Sequence, residues 1–402
     1  MRNLLGHLTW TVIANFWASG STFILFVVVS RVEDASTLGR FTLAVALSQL
    51  TVQLVDGGYG PLLIREANLG GRDPLSVLSW GFRSRVLRVG LAVPVITIVL
   101  IALRWQPSAV AAVDVLVVGS LAYGFSLILY QATRRSTAYN ASLFGNGVLY
   151  ILVSIGISLS PIAWRILPLV ILGPALALLL IGMVGTQRII GVKPARDLAP
   201  TDRQHFSTLM FANTVTSSVD SVFLGALNPQ LAGRYAMNQR PAFALVPLSV
   251  GIAAVALPRL ATADELARDR LRSRLPFLLP LPFVIGAAAY LVLPPILDAL
   301  YGHRASVQPL ALACLFGAYA FGTLSQLSSA LLVMRHQTRV VAITSILQML
   351  VVISATLIGA AAGAILVVAV GILLSRMFLV SWQMSALYRR LVPYRMLTHE
   401  QI

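Results

Sequence analysis

The stretch Thr9-Trp-Thr-Val-Ile-Ala-Asn15-Phe-Trp-Ala-Ser-Gly-Ser-Thr-Phe-Ile-Leu-Phe-Val-Val-Val-Ser30, closed by Arg31, decides the class of the chain. With Met1-Arg2 in front it has the outline of a signal peptide. The apolar run is too long for an h-region of about 7–15 residues, and Phe26-Val-Val-Val-Ser30-Arg31 carries no Ala-x-Ala cleavage pattern. It reads as a retained membrane span, because about 20 apolar residues cross the hydrocarbon of a bilayer.

The rest of the chain repeats that pattern. Of 402 residues, 57% are hydrophobic and 11% charged, and the mean hydropathy is +0.84. Soluble domains carry about 25% charged residues, so a soluble enzyme or secreted domain is excluded. Spans are predicted at 8–30, 41–63, 86–103, 109–132, 140–160, 164–186, 206–227, 236–258, 275–297, 306–333, 340–360 and 363–387, with short loops between them. The expected fold is all-α and polytopic, with twelve membrane helices.

The net charge of +16 would suggest nucleic acid in a soluble protein; here it marks basic cytoplasmic loops, and no nucleic-acid partner is expected. Counted by loop, 22 Arg and Lys fall on the side of the termini, 7 on the other, and Arg376 inside the twelfth span. That bias predicts both termini in the cytoplasm. Cys314 is the single cysteine, in an apolar stretch, which excludes a disulfide framework.

The halves resemble each other. Ala14-Asn15 matches Ala212-Asn213, Gly39-Arg40-Phe41 before the second span matches Gly233-Arg234-Tyr235 before the eighth, and Arg65 matches Arg259. Gln131-Ala-Thr-Arg134-Arg135 likewise matches Met334-Arg335-His336-Gln337. The expected domains are two six-helix bundles, residues 1–190 and 191–402, joined through the polar stretch Gln187 to Arg203. Parallel repeats of this kind commonly hold a substrate near the midplane between them.

No catalytic or metal-ligating constellation emerges, so neither an enzyme activity nor a cofactor or metal is expected. Asp56-Gly-Gly-Tyr-Gly-Pro61 is glycine-rich, but it ends a span and lacks a following Lys-Ser/Thr; it reads as a kinked helix end. The remaining candidates are ionisable groups inside spans, which are costly there and functional by default. Arg376 lies 13 residues before Arg389, about 20 Å deep at helical rise. Arg240 stands in the eighth span, Asp220 in the seventh, and Asp56 near the inner end of the second. Asp220 and Arg240 could simply neutralise each other, and Arg376 could snorkel or meet a backbone carbonyl. Asn15, Gln49, Gln53, Asn213 and Gln326 are polar positions that interhelical hydrogen bonds explain equally well. A membrane cavity with more arginine than carboxylate attracts an anion, and guanidinium grips phosphate oxygens bidentately.

Leu38-Gly39-Arg40-Phe41-Thr-Leu-Ala44, then Leu54-Val-Asp56-Gly57-Gly58 through Ile64-Arg65-Glu66, resembles the Wzx-type polysaccharide-repeat flippases. These belong to the multidrug/oligosaccharidyl-lipid/polysaccharide exporter superfamily. Gly233-Arg234-Tyr235-Ala236, Arg240, Pro247 and Leu257-Pro258-Arg259 carry the resemblance in the second half. It implies two pseudo-symmetric bundles in a V that open alternately to either face of a bacterial cytoplasmic membrane. The implied cargo is an undecaprenyl-pyrophosphate-linked oligosaccharide, and a polysaccharide polymerase and chain-length regulator are the implied partners. The candidate substrate site comprises Arg240, Arg376, Arg31, Asn15, Gln53 and Asn213, with Asp56 and Asp220 as candidates for ion coupling.

The chain departs from the related lipid II flippases in lacking two further C-terminal spans and arginines in the middle of the first span. A peptidoglycan precursor is therefore the less expected cargo. A drug/cation antiporter of the same superfamily, a major-facilitator transporter, and a membrane glycosyltransferase or polymerase are the competing readings.

Overall fold

The computed structural model describes residues 2–56, 63–64, 67, 73–133, 135–159, 167–187, 189, 191–194, 216, 218–247, 273–302, 307–334 and 337–389. Among them the chain is helical and contains no strand. The helices in the first half are α1 (Arg2–Val32), α2 (Ala35–Asp56), α3 (Pro74–Ala102), α4 (Pro107–Ala132), α5 (Ser136–Leu159) and α6 (Leu167–Thr186). The second half has α7 (Ser218–Leu227), α8 (Pro229–Ala242), α9 (Leu281–Tyr301), α10 (Pro309–Met334), α11 (Thr338–Ala362) and α12 (Ile365–Arg389). A 3-10 turn, Leu275–Leu278, leads into α9. Nine spans among the described residues are long and apolar enough to cross a membrane. The all-α, polytopic reading therefore holds.

Local chemistry sets several boundaries. Asp73 caps α3, its carboxylate accepting from the backbone N–H groups of Leu75 and Ser76, and Pro74 begins the helix. The α7–α8 turn is fixed the same way: Asn228 Oδ1 accepts from Leu231 N–H at 3.0 Å, and Pro229 follows it. Proline suits that first position, where no backbone donor is needed. Gly363 closes α11 at φ 64°, a conformation that costs glycine little.

Three boundaries differ from expectation. The helix α3 begins at Pro74 rather than residue 86, because the Asp73 cap starts it before the hydrophobic run does. Arg83, Arg85 and Arg88, expected in a cytoplasmic loop, therefore lie within it. Residues 39–41 and 233–235, expected ahead of their spans, sit inside α2 and α8.

Packing repeats across the halves. The pair α4 and α6 is matched by α10 and α12, and α3 with α4 by α9 with α10. The first half packs around Leu116, Val117, Leu121, Ala175 and Leu178, and the second around Leu224, Tyr235, Leu315 and Val368.

The halves meet chiefly through α2 and α8. A Cβ on Gly39 would overlap the carbonyl of Pro229, and one on Gly233 would overlap the carbonyl of Ala35. The two repeat-related glycines thus let two helix backbones touch reciprocally. Arg31, in the last turn of α1, adds to the same junction. Its Nε and Nη2 donate to the carbonyls of Leu300 and Ala299 at 2.5 and 2.7 Å. Asn238 of α8 accepts from the backbone N–H of Gln308 at 2.9 Å. All these contacts gather at the end of the molecule carrying the α1–α2 and α7–α8 turns.

Candidate functional site

The sequence of α8 places Tyr235 and Gln239 four residues apart on one helical face. That face looks at Asp220 of α7. The Tyr235 hydroxyl donates to Asp220 Oδ2 at 2.6 Å and Gln239 Nε2 donates to the same oxygen at 2.7 Å. The backbone N–H of Ser221 donates to Oδ1 at 2.7 Å. The Ser221 hydroxyl then bonds Gln239 Oε1 at 3.3 Å, closing the network. Asp220 is buried and held by neutral donors.

Arg240, one residue beyond Gln239, leaves the helix in another direction. Its guanidinium carbon lies 4.0 Å from the ring centroid of Phe26 on α1 and 5.0 Å from that of Phe243. Arg240 therefore bridges the two halves through a cation–π sandwich. It is buried, and its Nε has no hydrogen-bond partner. The expected neutralising pair with Asp220 is not formed, since no ion pair joins the two side chains.

Arg376 of α12 packs its guanidinium beside Gly322 of α10. Among the described residues it makes neither an ion pair nor a hydrogen bond. Both Arg240 and Arg376 lie within electrostatic reach of Tyr319 and Asp220. The Tyr319 ring packs against Phe243, with centroids 5.0 Å apart. Two cations thus converge on one cluster whose single carboxylate is already satisfied.

The other candidates are dispersed. Asn15 bonds the carbonyl of Thr11 in its own helix at 2.8 Å. Gln53 is exposed and lines a cavity inside the first half. Arg31 is engaged with the carbonyls at the interlobe junction. Asn213 lies outside the described residues.

Asp56 is paired with Arg85 of α3. The Arg85 guanidinium also stacks on Phe125, 4.7 Å from the ring centroid, and Arg88 donates to the Val55 carbonyl at 2.8 Å. A third intramembrane carboxylate escaped the sequence reading. Asp114 of α4 accepts from the Thr97 hydroxyl of α3 at 3.0 and 3.2 Å.

Compared with solved structures, the chain is similar to "Lipid II flippase MurJ, inward closed conformation", at TM-score 0.67 and 16% identity. That match covers 94% of this chain and 87% of that one. It is also similar to an inward-facing multidrug resistance MATE family transporter of the MOP superfamily. There the TM-score is 0.64 with 14% identity, over 92% of this chain and 95% of that one. The fold is that of the MOP-superfamily transporters. A third match, a MOP transporter from Pyrococcus furiosus described as having a binding pocket of reverse polarity, gives TM-score 0.62 at 14% identity. It covers 95% of this chain and 96% of that one. No protein-family model and no curated protein sequence matches the chain. The major-facilitator arrangement is set aside by these matches.

Proposed function

We propose that this protein is a lipid-linked oligosaccharide flippase. In this reading it moves undecaprenyl-pyrophosphate-linked repeat units across the bacterial inner membrane for O-antigen, capsule or exopolysaccharide assembly, alongside a polymerase and a chain-length regulator. One observation carries the proposal: Arg240, against Phe243 and through it Tyr319, and Arg376, beside Gly322 one turn from Tyr319, approach one cluster without an ion-pair partner of their own among the described residues. Guanidinium stays charged throughout the physiological pH range. Two of them inside the helical bundle provide the planar, forked donors that a pyrophosphate accepts. The polyprenyl tail needs no protein around it, whereas its charged linkage is very costly in hydrocarbon. The protein's task is then to shelter that linkage and the sugars.

With both termini in the cytoplasm, the α1–α2 end where the halves touch faces the periplasm. Cargo would enter from the cytoplasmic side and leave when Gly39 and Gly233 separate. Residues 1–190 and 191–402 would rock as two bundles around this contact. Asp220 is the better coupling candidate of the two carboxylates first considered, because its partners are neutral while Asp56 already faces Arg85. A drug/cation antiporter would instead want a carboxylate open to its cargo, and Asp220 is enclosed.

Polysaccharide export in cells lacking their own flippase tests the proposal. Arg240→Ala should lose export at normal membrane abundance, and Arg240→Lys should keep part of it. Normal export with both Arg240 and Arg376 changed to alanine would overturn it.

A further inference from the structure

The first half encloses a cavity of about 320 Å³ between α1, α2, α4, α5 and α6. Its volume is at the lower end of ligand sites, which run from about 300 to 1,000 Å³. No residue lining it is charged. Its polar groups are amides and hydroxyls: Gln49, Gln53, Ser48, Ser120, Asn146 and Tyr123. Gln49 and Gln53 are exposed, so the cavity opens outward along α2.

Asn146 is 7% exposed, and its side chain meets the Tyr123 hydroxyl in the chamber wall. An amide and a hydroxyl side by side are suited to a ligand that both donates and accepts. Ser48 and Ser120, 2.9 Å apart through their hydroxyl oxygens, provide the same chemistry on the wall shared by α2 and α4.

Aromatic rings complete the lining and connect it to the arginines. Phe26, which lines the cavity, is the ring over which the Arg240 guanidinium sits at 4.0 Å. Tyr150 lines it too and lies within electrostatic reach of Arg240. The chamber therefore begins where the proposed anion site ends.

We infer that this cavity is a sugar-binding subsite, which takes the pyranose nearest the pyrophosphate while Arg240 holds the phosphate itself. An uncharged, hydroxyl-rich ring matches neutral amides and hydroxyls on its edge and aromatic surfaces on its C–H faces. A cationic drug finds no counter-charge there, and a purely apolar ligand would leave the amides and hydroxyls of the wall without a match. Sites built to hydrogen-bond a hydroxyl discriminate strongly against ligands lacking it. This subsite would make the protein selective for the first sugar, whatever follows it. The inference rests on the flippase reading given above.

The full-length protein in lipid nanodiscs, titrated with two probes, tests it. One probe is undecaprenyl pyrophosphate; the other is the same lipid bearing a single sugar, taken in turn as a hexose and an N-acetylhexosamine. The expected result is that at least one sugar raises affinity tenfold or more. Asn146→Leu should erase that gain while leaving affinity for the sugar-free lipid within twofold. Gln49→Leu, at an exposed position where misfolding is not a concern, should reduce the gain at least threefold. Equal affinity of the wild-type protein for bare and sugar-bearing lipids would overturn the subsite while leaving the pyrophosphate site intact. Failure of the wild-type protein to bind any of these lipids would overturn both.

Discussion

Asp56 in the first half and Asp220 in the second, both inside the membrane region, are handled in opposite ways. In the first half Asp56 is neutralised by Arg85, whose guanidinium is also stacked on Phe125. In the second half Asp220 is satisfied by Tyr235, Gln239 and the Ser221 backbone, and Arg240 and Arg376 are left without an ion-pair partner. The first half thus spends an arginine on internal balance and keeps a neutral chamber. The second half satisfies its acid with uncharged donors and so leaves two guanidinium groups unneutralised. Near-identical topology carries two different electrostatic designs.

The sharpest way to break this contrast is to remove Asp56. Arg85 is only 6% exposed, and stranding a buried charge typically costs about 3–5 kcal/mol. Asp56→Ala should therefore lower thermal stability strongly, whereas Asp56→Leu combined with Arg85→Met should recover most of it. Equal stability of the single and double variants would show that the pair is not a self-contained neutral unit.

The halves are alike where they meet, and that likeness can be tested next. Gly39→Leu or Gly233→Leu places a side chain against a backbone carbonyl that cannot move aside. Overpacking a tight contact typically costs about 1–3 kcal/mol. The cost falls only on the state in which α2 and α8 touch, so spin-label distances across the α1–α2 end should lengthen. Unchanged distances would remove these glycines from the conformational cycle.

A smaller effect is expected at Asp220. Tyr235→Phe deletes one hydrogen bond to the carboxylate, and its thermal unfolding should show a loss of about 1–2 kcal/mol. Removing the Arg240 charge should not aggravate this, because the two do not pair. Strong coupling in a double-mutant cycle between Tyr235→Phe and Arg240→Ala would contradict that separation.

The smallest effect lies outside the bilayer. Asp34 accepts from the backbone N–H of Thr37 at 2.7 Å, which holds its carboxyl below the usual value of 3.8. A depressed carboxyl stabilises the fold above its unfolded pKa, and that contribution fades as the pH falls through the lower folded value. Asp34→Ala should cost about 1 kcal/mol as a lost helix cap. The difference between wild type and variant should narrow below about pH 4, where even the unfolded carboxyl near 3.9 is half protonated.

Much of the architecture was legible in the sequence because hydrophobic run length is a direct consequence of bilayer thickness. The helix order and the positions of Arg240, Asp220 and Arg376 inside helices follow from it. Gly39 and Gly233 were legible as a repeated motif but misread as lying ahead of their spans. Glycine weakens an isolated helix, and only the partner backbone shows why it is kept inside one.

The pairs Asp56–Arg85 and Thr97–Asp114 were hidden because an apolar run conceals what its few polar residues face. A signal was nevertheless present. For the second pair, Thr97 and Asp114 are equidistant from Trp105-Gln106, between α3 and α4. Antiparallel neighbours joined by a short turn bring such positions level. The chamber around Asn146 and Tyr123 had no comparable signature, since its lining is gathered from five helices.

The most direct measurement is the affinity of the full-length protein for undecaprenyl pyrophosphate, with and without Arg240 and Arg376. Hydrogen bonds to charged groups contribute about 1.5–3 kcal/mol each, and each 1.4 kcal/mol is tenfold in Kd. Changing both arginines to alanine should therefore weaken binding by about 100-fold or more at unchanged folding. Affinity within twofold of the wild-type value would contradict the claim that these two residues hold the pyrophosphate.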